Sequence, residues 1–278
     1  TVLGKTSIQV DAEGNVTLGQ NNMTVQLMPQ VTSLNPQVLP VTGNAQIVLT
    51  GTGFTDASAV KFGSTDATSF VVDSDTQITA TAPAMAVGNV NITVTTPGGT
   101  SATANANQAT YVNVPTLTQL NPNSGSISDS ITLTGTDFNA AHGNNTVNFG
   151  STTATPSAGS NTSLTVNVPT GISGIVQVTV VSNQQTSNAL NFSVVPKVTS
   201  LGTNTGGSSG GTSVVLTGNG FAGATAVKFG TTDASSFVVN SNTQITATSP
   251  AGNPGIVNIR VTTPGGTSSS AAGNRFTY

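Results

Sequence analysis

The chain has 278 residues, 35% of them hydrophobic and 5% charged, with a formal net charge of −3, no cysteine and no tryptophan. An average protein carries about 25% Asp, Glu, Lys and Arg; here threonine, serine and asparagine take their place, and the scattered basic residues exclude a phosphate-neutralising stripe and with it nucleic-acid binding. Missing thiols exclude disulfide frameworks and thiolate metal sites, and no apolar run approaches the ~20 residues of a membrane helix.

Sparse charge and abundant β-branched residues are the reverse of a disordered composition, so the chain reads as folded and all-β. It opens on Thr1, as an exported protein relieved of its leader does and as any excised piece does. Ser7-Ile8-Gln9-Val10 and Val16-Thr17-Leu18 alternate about the turn residues Asp11 to Asn15, which predicts a hairpin, and Thr24-Val25-Gln26-Leu27 follows as a third short strand. This segment, 1–28, is too small to cover its own apolar face, and isolated hairpins are marginal in water. Ile8, Val10, Val16, Leu18, Val25 and Leu27 are therefore candidate contact residues, packed either on the first repeat of their own chain or on a neighbouring copy.

Three copies of one unit follow, over 29–114, 115–195 and 196–278. Each carries a phrase: Leu49-Thr50-Gly51-Thr52-Gly53-Phe54, Leu133-Thr134-Gly135-Thr136-Asp137-Phe138 and Leu216-Thr217-Gly218-Asn219-Gly220-Phe221. A β-branched run stops at glycine, the glycines permit positive φ at a sharp turn, and the phenylalanine folds back as an apolar plug. Val60-Lys61-Phe62-Gly63, with counterparts at Val147 and Val227, alternates so that Val60 and Phe62 point one way. Gln77 to Thr81 and Val90 to Val94 are further strands, and Pro97-Gly98-Gly99-Thr100 is a tight turn before a last strand reaching Tyr111. About seven short strands per unit with frequent turns predict a β-sandwich.

Repeat three aligns with repeat one at a constant offset of 167, from Pro29/Pro196 to Thr100/Thr267. It departs at Gly202-Thr203-Asn204, where an Asn-Pro is lost, and in the loop Gly206 to Gly211. Repeat two keeps the core positions but lengthens the loop at Ala140 to Asn145 and replaces the Pro-Gly-Gly turn by Ser182-Asn183-Gln184-Gln185. Val114 passes directly into Pro115, and Val195 into Pro196. Such short joints predict limited swing between units and a stiff rod.

These residues resemble the immunoglobulin-like IPT/TIG family: an opening strand like Val198-Thr199-Ser200-Leu201, then Leu-Thr-Gly-x-Gly-Phe, Val-x-Phe-Gly, a strand like Gln244-Ile245-Thr246-Ala247-Thr248, and Pro-Gly-Gly-Thr. The resemblance covers 29–278 and is weaker in repeat two. It implies three tandem Ig-like β-sandwiches, bacterial and extracellular in setting, and leaves function open.

Few residues suggest chemistry. Asp73-Ser74-Asp75 has the make-up of half a calcium site but reads as a turn, since repeat three has Asn240-Ser241-Asn242 there. His142, the one histidine, stands among Ala, Gly and Asn with no nucleophile or orienting group, and reads as a solvated loop residue. Gly206 to Gly211 lacks the Lys-Ser/Thr of a phosphate loop. Sequons such as Asn15-Val16-Thr17 and Asn91-Ile92-Thr93 arise by chance in an Asn/Thr-rich chain. No catalytic, cofactor-binding or metal-binding residue is assigned.

The expected function is a non-enzymatic subunit of a bacterial surface filament, stalk or adhesin, self-associating head to tail with 1–28 as the β contact. The competing reading is a polysaccharide- or receptor-binding adhesion module, or accessory domains of a larger extracellular enzyme. Its specificity would sit in loops 139–146 and 202–211.

Overall fold

The computed structural model describes residues 27–278 and, before them, the backbone of three strands, Ile8–Val10 (β1), Val16–Leu18 (β2) and Met23–Val25 (β3). These three form an antiparallel sheet in which Ile8 stands opposite Leu18, and Val16 opposite Val25. The side chains of Ile8, Val10, Val16, Leu18 and Val25 lie outside the described residues.

From Pro29 onward six sheets make three Ig-like sandwiches, each around its own hydrophobic core. The first runs through β4 (Gln30–Asn35), β5 (Val38–Pro40), β6 (Gln46–Thr52), β7 (Ala59–Phe62), β8 (Thr65–Asp66), β9 (Ser69–Ser74), β10 (Gln77–Thr81), β11 (Gly88–Thr96), β12 (Gly99–Thr100) and β13 (Gln108–Val112). One sheet is ordered β4-β6-β10-β9; the other is β5-β13-β11-β7-β8, with β12 turned back onto β11. All neighbours are antiparallel except β5 and β13. The short strands β5, β8 and β12 add to the seven read from the sequence. Alternation decides the inward faces: Ile47 and Leu49 of β6, Val60 and Phe62 of β7, and Ile92 and Val94 of β11 are all buried.

The two glycines of the repeated phrase do different work. The second has positive φ, +71° at Gly53 and +74° at Gly220, as expected. In repeat two Asp137 takes the same left-handed conformation at +60°, which aspartate tolerates better than most residues. The first glycine has no such φ, and here the expectation is corrected: it is required for room. A Cβ on Gly51 would fall on the carbonyl oxygen of Gln30, and 2.5 Å from the ring tip of Phe54. Gly135 meets Thr116 and Phe138 in the same way, and Gly218 meets Lys197 and Phe221. The opening strand comes this close because it bulges, its pairing slipping between Val31 and Ser33. The residue skipped is a threonine in every repeat. Thr32, Thr118 and Thr199 each donate a side-chain hydrogen bond to the carbonyl of Thr50, Thr134 and Thr217, at 3.1, 2.9 and 3.0 Å.

Repeat three has no counterpart of β5, only a parallel bridge between Thr205 and Thr277. Its loop passes so near the core that a Cβ on Gly206 would lie 2.6 Å from the ring of Phe276, while Gly210 and Gly211 take positive φ, +78° and +85°. Each core also holds an edge-to-face aromatic pair: Phe62 with Tyr111, Phe149 with Phe192, and Phe229 with Phe276, at centroid distances of 6.4, 5.8 and 5.2 Å. The buried Tyr111 hydroxyl donates to the Pro83 carbonyl at 3.1 Å, and Tyr278 repeats the bond to Pro250 at 3.0 Å.

Two predictions follow from this packing. Gly218→Ala costs about 2–3 kcal/mol by backbone crowding, whereas Gly220→Ala costs about 1 kcal/mol by strain at positive φ; urea unfolding of the full chain ranks them. Burial pushes the Tyr111 hydroxyl up to about 12 from 10.0. The folded state thus favours the protonated phenol, so this contribution is whole below pH 10.0 and is lost as pH rises toward about 12. Tyr111→Phe removes that alkaline loss and costs about 1 kcal/mol at neutral pH, as read by thermal melts across pH.

Candidate functional site

Several of the described ionisable side chains hold turns or pair with one another. Asp75 accepts from the amides of Gly53 and Thr55, at 3.1 and 3.2 Å, and from the Thr55 hydroxyl at 2.8 Å. Burial pushes its carboxyl up, but the Thr55, Gly53 and Phe54 hydrogen bonds prevail and hold it below the ordinary aspartate value. Asp73 accepts from Thr79 at 2.7 Å, so the two acids of the Asp-Ser-Asp turn are committed to different partners. Asp129 caps its own loop through the Ser126 amide at 2.7 Å. Lys61–Asp66 and Lys228–Asp233 are exposed pairs at 2.7 Å, worth at most ~1 kcal/mol each. Among the described residues no group of three His, Cys, Asp or Glu is placed to hold a metal ion.

His142 differs from its expected solvated state. It is half-buried, and its Nδ1 lies 3.0 Å from the Pro156 carbonyl. The loop around it is folded on Asn145, a buried residue whose amide bonds the Asn139 amide and carbonyl and the His142 carbonyl. The second nominated loop is pinned as well: Gly206, Gly211 and Gly252 amides donate to Thr277, Ser249 and Ser208 carbonyls. Both loops are held by hydrogen bonds of their own and bear amides and hydroxyls.

The sheet faces continue that chemistry. Hydroxyls meet across strands at Ser69/Thr81, Thr95/Thr100, Thr116/Thr136, Ser236/Thr248 and Thr262/Thr267, all within 2.8–3.1 Å. Asn240 joins Thr246 at 2.8 Å, and Thr110 joins Asn89 at 2.8 Å. Leu27 of the candidate contact set is 58% exposed. Two features escaped sequence reasoning. The first is the pair of edge strands, β9 and Ser236–Ser241, each bonded to a sheet on one side only. Their central Val71 and Val238 are both 62% exposed. The counterpart in repeat two is cut to Ala158–Gly159. The second is the buried Asn107 and Asn274, each bonding the amide and carbonyl of its own turn. Their identical place in repeats one and three was the signal that could have found them.

The sequence profile described as the IPT/TIG domain matches residues 29–111, 115–194 and 196–278. The chain belongs to the IPT/TIG domain family. In these tandem IPT/TIG domains the glycine–phenylalanine contact and the threonine bulge recur in every copy. No curated protein sequence matches the chain significantly. Among solved structures it is similar to the full extracellular region of plexin A4, at 19% identity and a TM-score of 0.38, over 88% of this chain and 22% of that one. It is also similar to a protein crystallised with a xylogluco-oligosaccharide, at 17% identity and 0.33, over 90% and 60% of the two chains. A third similar structure is SGBP-B of the Bacteroides ovatus mixed-linkage glucan utilization locus with a mixed-linkage heptasaccharide, at 18% identity and 0.25, over 89% and 65%. The IPT/TIG chain thus spans less than two thirds of the length of each of these proteins. No helix among its described residues is long and apolar enough to cross a membrane.

The acid at the turn yields a prediction. The Asp75 contribution is whole above the ordinary aspartate value of 3.8 and is lost as pH falls through its lowered folded value. Asp75→Ala lowers stability by about 1–2 kcal/mol at neutral pH and removes that acid dependence, which chemical denaturation at several pH values tests.

Proposed function

We propose that this tandem IPT/TIG protein is a non-catalytic, extracellular adhesion module of a bacterial surface, binding an uncharged polysaccharide through hydrogen bonds from its sheet faces, with specificity set by loops 139–146 and 202–211. The observation that supports it is the paving of the sheet faces by cross-strand hydroxyl and amide pairs where other proteins carry charge. A polyhydroxylated ligand exchanges hydrogen bonds with such a surface without stripping ions of their water. Stacking has no part in this reading: Phe70 and Phe237 are half-buried, Tyr278 likewise, and the other phenylalanines and Tyr111 are buried. A protein receptor with a neutral polar face is the nearest relative of this ligand, and the module suits a free-standing adhesin or an accessory part of a larger extracellular enzyme. Screening the full chain against neutral and acidic polysaccharides is expected to show binding to a neutral one that is insensitive to salt. Replacing loops 139–146 and 202–211 is expected to weaken it about tenfold or more. Absence of binding, or hydrolysis of the ligand, refutes the reading.

A second reading, self-assembly of copies into a surface filament, is favoured by the open edges β9 and Ser236–Ser241. An edge with an exposed apolar centre and no lysine accepts another strand. Sedimentation velocity is expected to show concentration-dependent oligomers that Val71→Lys with Val238→Lys dissolves. Assembly lost on deletion of 1–28 instead places the contact at the N-terminal strands.

A further inference from the structure

The Pro-Gly-Gly turns of repeats one and three are built alike. The Thr96 and Thr263 hydroxyls accept the amides of Gly98 and Gly265, at 3.3 and 3.2 Å. The Thr95/Thr100 and Thr262/Thr267 hydroxyls pair beside them, and Gly99 and Gly266 share φ near +130°, at 128° and 133°. In repeat two the corresponding Ser182 hydroxyl is buried without a partner, Asn183 takes the place of the proline, and Gln184 and Gln185 replace the glycine pair.

In repeat three this turn is a socket for the domain before it. A Cβ on Gly265 would fall on the carbonyl oxygen of Val194 and lie 2.8 Å from that of Gly174, so the backbone of the turn rests directly on the end of repeat two. A Cβ on Gly266 would meet Val195 at 3.5 Å, and one on Gly220 would meet Pro196 at 3.3 Å and Val194 at 3.7 Å. Asn242 closes the joint by donating to the Ile172 carbonyl at 3.3 Å. The plug is the end of two paired strands, Gly174–Ser182 and Leu190–Val194, in which Gly174 stands opposite Val194 and Val176 opposite Phe192.

Repeat one meets residues 27–29 at two of the same points, with Met28 still 60% exposed. A Cβ on Gly99 would lie 3.2 Å from the Met28 side chain, as one on Gly266 meets Val195. A Cβ on Gly53 would lie 3.5 Å from Pro29, as one on Gly220 meets Pro196. The strands leading there also match. Val16 pairs with Val25 as Val176 pairs with Phe192. In sequence Gly14 precedes Val16 by two residues, as Gly174 precedes Val176, and Pro29 follows Val25 by four, as Pro196 follows Phe192. We infer that the Pro97-Gly98-Gly99 turn of repeat one is a docking socket whose occupant is the β2–β3 end of its own N-terminal segment with Leu27 and Met28, held in cis as repeat three holds repeat two. The N-terminal strands are then a seated cap, withdrawn from exchange with other copies. One difference tunes the joint: Asp75 stands where Asn242 stands, and a carboxylate has no N–H to donate to a carbonyl of the plug.

Hydrogen exchange of the full chain tests this, with the free peptide of residues 1–28 as reference. β2 and β3 amides are expected to exchange at least about tenfold more slowly in the chain than in the peptide. Met28→Asp on the plug and Gly98→Val in the socket are each expected to erase that protection while β6 and β10 exchange as before. Gly265→Val is expected to raise exchange at Ile172–Gly174 in the same way. β2–β3 exchange equal to that of the peptide overturns the proposal. So does protection that survives both variants, and so does a Gly265→Val joint that stays closed.

Discussion

One contact underlies each sandwich: a strand carbonyl lying where a side chain would otherwise be. Gln30, Thr116 and Lys197 oxygens sit over Gly51, Gly135 and Gly218, and a phenylalanine ring closes the same space from beneath. Any Cβ at that point forces the opening strand off its sheet or the ring out of its pocket. The threonine bulge follows from the same requirement, because a regular ladder would not bring the opening strand across the glycine at that depth. From there the chain is committed: the phenylalanine anchors the core, the next glycine or aspartate turns, and the Val-x-Phe strand enters the second sheet.

Most of the architecture was legible in the residues. Alternation at Val90 to Val94 and the three-fold recurrence lead to tandem Ig-like sandwiches without a structure in hand. The strand expected to stop at Gly51 instead runs through it to Thr52, because Gly51 is still paired with Val31 of the opening strand. What escaped was fixed by tertiary proximity. Nothing local distinguishes a glycine needed for its φ from one needed for its lack of a side chain, so Gly51 and Gly53 read alike until the Gln30 carbonyl is seen above the first. His142 read as solvated because its partner, the Pro156 carbonyl, comes from a different loop. β5 was missed because its pairing with β13 joins residues far apart in the chain.

The same distinction governs the candidate surfaces. Scarce charge was evident from composition, and it directed attention toward hydroxyls and amides. Which of these reach one another across strands depends on register, and register is set by the buried face: Ser69 finds Thr81 because Phe70 finds Ala80. The exposed chemistry is therefore printed by the core packing beneath it. That is why it recurs in repeats one and three and changes in repeat two, where the turn and edge differ.

The clipped edge of the middle repeat, Ala158–Gly159, bears on how the chain survives its own synthesis. Near-identical domains placed side by side are prone to trade strands while still unfolded, and misassembly of this kind is the characteristic failure of repeat proteins. Here the two most similar units are never adjacent. A divergent unit with a stunted edge stands between them, so a nascent strand from either one meets a neighbour that does not fit it.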